Sequence, residues 1–210
     1  AKQELRLQKN ITIVTLFAGA LIFISLIIAL RAYNGKKAAN QAISVQKALV
    51  EEKQKEILDS IHYAKRIQTT LLAHTGFINK YIPNNFILFK PKDIVSGDFY
   101  WATKKGDYFY LAVCDSTGHG VPGSLMSMMG INIIHQIVRE DKITDPSKIL
   151  HRLDENIRKR FTKENSDKRA NDGMDIAIGV FYKQKSILAY ASAMRPVYFV
   201  RGGELLELKN

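Results

Sequence analysis

Hydrophobic and polar positions divide the chain into three textures. From Ile11 to Leu30 there is no charge and no proline, and twenty residues at helical rise cover roughly 30 Å, the thickness of a bilayer core. The run lacks the polar face of a core helix and is longer than the apolar part of a signal peptide, so it predicts a transmembrane helix. From about Lys36 to Leu72 nothing breaks a helix. Ile43, Val50, Ile57, Ile61, Ala64 and Leu71 recur at alternating spacings of three and four, with Lys47, Gln54 and Gln68 filling the intervening seam positions. That pattern predicts a coiled-coil-like helix with a polar-interrupted seam. It is either a solvated spacer or a dimeric signalling helix with two arrangements of similar energy.

After Leu72 the texture becomes globular. Phe86 to Phe89 reads as a short strand. Phe99–Thr103 and Tyr108–Cys114 read as a hairpin turned by Lys104-Lys105-Gly106-Asp107. Val121-Pro122-Gly123 opens a helix over Ser124–Val138 that is apolar nearly all round, which predicts burial against a sheet. Asp145-Pro146 starts an amphipathic helix with Ile149, Leu150, Leu153, Ile157 and Phe161 on one face. Glu164 to Asn171 reads as a polar loop. Strands follow at Ile176–Tyr182, Ile187–Ala191, Val197–Val200 and Leu205–Leu206. A strand meander with inserted helices predicts an α+β fold.

Composition narrows this further. Cys114 is the single cysteine of the 210 residues, which excludes an internal disulfide framework and any zinc site built on cysteines. Its place in an apolar run predicts a buried strand residue. The formal charge of +11 invites nucleic acid, yet basic residues are spread along the chain. The densest patch, Arg158-Lys159-Arg160 through Lys168-Arg169, is broken by Glu164 and Asp167. No nucleic-acid signature accompanies it, and the expectation is no nucleic-acid partner. Lys2, Arg6 and Lys9 on one side of the apolar run, with Arg31, Lys36 and Lys37 on the other, leave orientation nearly unspecified by charge. The chain begins with Ala1 only ten residues before the span, so a sensory part upstream in a longer protein is expected.

The candidate chemistry lies in Ser96-Gly97-Asp98-Phe99-Tyr100-Trp101 and Val113-Cys114-Asp115-Ser116-Thr117-Gly118-His119-Gly120. The hairpin puts Asp98 at the start of one strand and Asp115 just past the end of the next, at the same end. Two carboxylates that close repel unless a cation lies between them. An all-oxygen site suits Mg²⁺ or Mn²⁺, and the pattern reads as a two-metal hydrolase site.

The order S-G-D-F-Y-W, D-S-T-G-H-G-V-P-G, G-M-D-I-A-I and Y-A-x-A-x-x-P resembles SpoIIE-like, PPM-type serine/threonine phosphatases, the bacterial branch of the protein phosphatase 2C-like fold, from roughly Ile82 onward. The resemblance implies an αββα sandwich of antiparallel sheets flanked by helices, with two Mn²⁺ or Mg²⁺ ions at one end. It implies hydrolysis of phosphoserine or phosphothreonine on a partner protein. Asp98 and Asp115 match the metal-binding aspartates, and the backbone carbonyl of Ser116 matches an oxygen ligand. Asp175 stands where many bacterial members have an acid, as a third-metal or a structural residue. His119 is a candidate general acid. Eukaryotic relatives carry their acid two residues after the aspartate rather than four, and a turn-stabilising role is the alternative.

Two departures stand out. Met194-Arg195-Pro196 replaces a Gly-His-Asn-like segment, and Arg195 could meet a phosphate or solvent. The late Ser-Asp-Gly-type segment with a further metal aspartate has no counterpart before Asn210, so a C-terminally truncated domain is expected. The organisation is then a juxtamembrane 1–10, a transmembrane helix 11–30, a helical linker 31–75 and a phosphatase domain 76–210. The apolar span predicts a single-pass protein of a bacterial inner membrane, with the catalytic domain expected in the cytoplasm, where phosphoproteins are found. A homodimer through the linker is expected, with a phosphorylated protein such as an anti-sigma-factor antagonist-like domain as substrate. A nucleotide cyclase lacks its phosphate- and purine-holding residues here, and a GTPase lacks its phosphate loop. A non-catalytic phosphoprotein-binding module with a degraded metal site stays open.

Overall fold

The computed structural model describes residues 2–161 and 173–208. Two compact units divide the chain, Ala1–Ile57 and Leu58–Asn210. One helix, α1 (Lys2–Leu71), runs without interruption for 70 residues. No proline precedes Pro83, and the residues around Gly35 are mostly strong helix formers, which absorb the cost of one glycine. In the first unit every described side chain is exposed. Phe17 and Ile22 are 69% and 68% accessible. The helix contains a segment long and apolar enough to cross a membrane, none of it buried. Farther along, Lys47–Glu51 (3.8 Å) and Lys53–Glu56 (2.8 Å) pair along its surface, contacts that add only tenths of a kcal/mol.

In the second unit, α2 (Thr75–Tyr81) is followed by β1 (Asp98–Lys105) and β2 (Tyr108–Ser116), then α3 (Gly120–Arg139) and α4 (Pro146–Phe161). The strands β3 (Met174–Tyr182), β4 (Ile187–Ala193), β5 (Val197–Arg201) and β6 (Glu204–Leu208) complete it. The first four strands form one antiparallel sheet in the order β1-β2-β3-β4, and β5 pairs with β6 in a separate two-stranded sheet. The α+β class is as the alternation of patterns predicts. Gly106, at a φ of +57°, makes the two-residue turn of the β1–β2 hairpin; a left-handed backbone there is cheap only for glycine.

Strand alternation sorts the residues of the four-stranded sheet onto two faces. Phe99, Trp101, Tyr110, Ala112, Cys114, Ile176, Ile178 and Val180 form one, buried with Ile133, Ile134 and Ile137 of α3 and Ile149, Leu153 and Ile157 of α4. The opposite, open face carries Asp98, Tyr100, Val113, Asp115, Asp175 and Leu188. Its far end is covered by α2, where Tyr81 stacks on Phe109 at 4.8 Å.

α4 begins where expected. Asp145 Oδ1 accepts from the Ser147 N–H (2.9 Å) and hydroxyl (2.7 Å), and these hydrogen bonds hold its carboxyl below the usual range. α3 starts four residues earlier than predicted, at Gly120, and is less uniformly buried, since Leu125 is 59% exposed. Its C-terminal carbonyls at Val138 and Arg139 accept from Lys105 Nζ, each at 2.7 Å.

Two expectations are corrected. Phe86–Phe89 forms no strand and pairs with no described strand, and Phe86 and Leu88 are 91% and 86% exposed. Pro83 and Pro91 bracket the run, and proline supplies no ladder donor. Gln68, read as a seam position of the linker helix, packs elsewhere. It is buried inside the second unit at 4% accessibility, and Leu71 packs against the core, so the last turns of α1 belong to the globular unit. The polar loop expected at Glu164 to Asn171 lies outside the described residues.

Candidate metal centre

The hairpin places the site. β1 opens at Asp98 and β2 ends one residue past Asp115, and the register sets Asp98 opposite Asp115 and Asp115 opposite Asp175. Directly opposed residues on neighbouring strands share a face, so three aspartates, one per strand, stand in a row at one end of the open face. Asp98 and Asp115 line a cleft of about 170 Å³ together with Lys92, Asp93 and His119. Asp175 belongs to the row but not to the cleft walls. A larger cleft of about 730 Å³ lies at the hairpin end, walled by residues such as Tyr81, Phe109 and Leu188, and it carries none of the predicted site residues.

Electrostatics in the smaller cleft are those of a crowded anion pair. Partial desolvation and the hydrogen-bonded, charged Asp115 beside it raise the Asp98 carboxyl above the usual carboxylate range, with Arg195 opposing. Arg195, from the β4–β5 connection, reaches Asp115 with a terminal guanidinium nitrogen 2.8 Å from Oδ2. Met194 before it takes a φ of +58°, a conformation uncommon for a residue with a side chain. Arg195 Nε is buried without a hydrogen-bond partner. The arginine is thus the internal countercation of the aspartates. Cys114 faces the core as predicted, and burial pushes its thiol well up.

Glycines close the site from below. A Cβ on Gly97 would lie 2.6 Å from the Gly118 carbonyl oxygen and 2.9 Å from that of Ser116, and one on Gly123 would lie 2.5 Å from the Gly118 oxygen. Ser116 is buried, and its hydroxyl donates to the Gly97 carbonyl (2.7 Å). Its own carbonyl thus sits against Gly97, beside Asp98 in sequence. Ser96 Oγ accepts from the Asp98 N–H at 3.0 Å. Behind Ser96, Gln68 Nε2 donates to the Ser96 carbonyl (2.6 Å) and to Ser127 Oγ (2.7 Å), while Oε1 accepts from the Ser96 N–H (3.1 Å). His119 is the N-cap residue of α3 without a capping bond from its ring; its Nδ1 is 2.9 Å from Asp93 Oδ2.

Asp98, Asp115 and His119 are thus brought to one cleft, while Ser116 is buried behind Gly97 and Asp175 stands beside the cleft without lining it. Gln68 and Asp93 are additions. Gln68 carries no sequence signal apart from a polar residue in an apolar seam, and Asp93 carries none. Among the described residues no three or more His, Cys, Asp or Glu side chains converge on one point. The donors that do meet are hard oxygens around a carboxylate pair that already recruits a cation, Arg195, with the Ser116 carbonyl packed against Gly97 behind them. That donor set fits Mg²⁺ or Mn²⁺.

Comparison with known proteins bears on the family and the fold. Residues 105–210 match the family model of Stage II sporulation protein E (SpoIIE). The solved SiaA-PP2C domain of Pseudomonas aeruginosa is similar at 32% identity with a TM-score of 0.60, over 74% of this chain and 61% of that chain. The chain therefore spans about three fifths of the length of that solved structure. A search of curated proteins found no match.

Proposed function

This chain belongs to the SpoIIE family, a PP2C-like phosphatase family, and from that premise we propose that it hydrolyses phosphoserine or phosphothreonine on a partner regulatory protein. The register that sets Asp98 against Asp115 in an open cleft carries the reading. Asp98, Asp115 and the Ser116 carbonyl would hold Mn²⁺ or Mg²⁺. The ions would supply an activated water and neutralise phosphoryl charge, as in two-metal phosphatases. Arg195 restrains the Asp115 carboxylate, and its unused guanidinium donors suit a phosphoryl oxygen. A shallow cleft of this size suits a phosphorylated side chain presented on another protein better than an engulfed small molecule.

The apolar segment of α1 supports a single-pass anchor in a bacterial inner membrane, with the catalytic domain in the cytoplasm, where phosphoproteins are found. Ile43, Val50 and Ile57 are each more than 60% exposed, which supports dimerisation along the linker seam. The substrate class proposed is a small partner-switching domain of the anti-sigma-factor antagonist kind. A non-catalytic phosphoprotein-binding module is the second reading, favoured by the lack of a third converging ligand among the described residues.

Release of phosphate from a phosphoserine peptide with Mn²⁺ tests the first reading. Turnover should require the metal and fall by roughly 10²–10³ or more in Asp115→Asn, as when a main source of transition-state charge stabilisation is removed. Turnover that ignores both the metal and the substitution would overturn it. Peptide binding without turnover would select the second reading.

A further inference from the structure

Resting on the phosphatase reading, we propose that Asp93 is a positioning residue for His119, and that the pair protonates the leaving serine or threonine oxygen. The two residues lie 26 positions apart, one in the loop before β1 and the other just after β2. They meet because the ends of that hairpin meet at Asp98 and Asp115. His119 occupies an N-cap position with extended backbone, φ −131° and ψ 172°, yet its ring caps nothing. The ring bonds instead to the Asp93 carboxylate at 2.9 Å. A carboxylate can only accept there, so Nδ1 carries the proton and Nε2 is the nitrogen left for exchange.

The pair shares its cleft with Lys92, Asp98 and Asp115. Its side chains are 40% (Asp93) and 73% (His119) accessible, open to an incoming phosphorylated side chain. An exposed pair of this kind adds little to stability, so a purely structural role explains its placement poorly. A carboxylate that fixes the tautomer and orientation of a histidine is the established arrangement for a proton-transferring imidazole.

The proposed step balances as follows. A water molecule gives up one proton to solvent as its oxygen forms the new bond to phosphorus, while the bond from phosphorus to the seryl oxygen breaks. The protonated His119 gives its Nε2 proton to that oxygen, yielding the serine hydroxyl and inorganic phosphate. Nδ1–H stays on the ring against Asp93, and the neutral ring regains a proton from solvent.

The test uses the full chain in lipid nanodiscs with Mn²⁺ and two substrates, a phosphoserine peptide and p-nitrophenyl phosphate. The alkoxide leaving group of serine needs a proton, whereas nitrophenolate leaves without one. The ratio of peptide to nitrophenyl turnover should fall about 10²-fold in His119→Gln, in the range expected for loss of a general acid. It should fall roughly 10-fold in Asp93→Asn, and no further in the double variant than in His119→Gln, the non-additivity of groups acting as one unit. Ratios unchanged in either single variant, or a fully additive double variant, would overturn the proposal. Wild-type protein that hydrolyses neither substrate would instead reject the phosphatase reading beneath it. Long-range ¹H–¹⁵N spectra of the histidine rings give a readout independent of turnover: His119 should hold its proton on Nδ1 in the wild type and lose that preference in Asp93→Asn. A tautomer indifferent to Asp93 would also overturn the assignment.

Discussion

The two faces of the four-stranded sheet use alternate residues of the same strands and obey different rules. On the helix-covered face, Tyr110, Ala112 and Cys114 of β2 are at most 2% accessible. On the open face of that strand, Val113 is 50% accessible and Asp115 is exposed. One face secures the fold by burial. The other tolerates an unfavourable carboxylate pair because its partner has already secured the strands. Stability and chemistry are thus separated by a single step in sequence.

Substitutions on the two faces should differ accordingly. Tyr110→Ala removes a fully buried ring and should cost about 3–5 kcal/mol in chemical denaturation, as large-to-small core changes do. Val113→Ala, on the open face of the same strand, should cost less than about 1 kcal/mol. Equal costs would erase the distinction. Tyr110→Phe sharpens it, because the Tyr110 hydroxyl is buried without a hydrogen-bond partner; the phenylalanine should be at least as stable.

Gln68 is the next largest case. Gln68→Ala would strip partners from the Ser96 N–H and carbonyl and should cost about 1–3 kcal/mol, the penalty for stranded buried polar groups. A loss no larger than that of the exposed Gln54→Ala would show that the clamp contributes nothing.

The smallest effect has the opposite sign. Because the Asp98 carboxyl titrates above the usual range, the folded state binds more protons than the unfolded one between the two pKa values. Stability therefore falls as pH rises through that window, and the deficit is complete above it. Without divalent ions, Asp98→Asn should melt slightly higher than the wild type at neutral pH, with the gap closing as pH drops below the ordinary carboxylate range. The stabilisation that Mn²⁺ gives the wild type should shrink in the variant. A lower melting temperature for metal-free Asp98→Asn at neutral pH would show that the open face carries no such strain.

Much of this was legible in sequence where one physical signal acts locally. Alternation in Tyr108–Cys114 and the glycine at the turn predict the hairpin, and the hairpin alone brings Asp98 to Asp115. The Asp145-Pro146 pair marks the start of α4 because capping and a fixed φ both operate within one turn. What failed was long-range. Gln68 fits a heptad seam equally well until the loop at Ser96 closes over it, 28 residues away. Phe86–Phe89 has strand composition, but strand formation needs a partner that composition cannot supply. Asp93 is one acid among many until β1 and β2 fold its loop against His119.

The glycine contact beneath the aspartates has a consequence for how such a chain can drift. At Gly97 and Gly123 even the smallest side chain would press into backbone oxygens rather than into movable side-chain ends. Flexible neighbours cannot absorb the change, so no single replacement there is silent. The floor of the cleft should thus be inherited whole or lost at one stroke, while Val113 and its exposed neighbours stay free to vary.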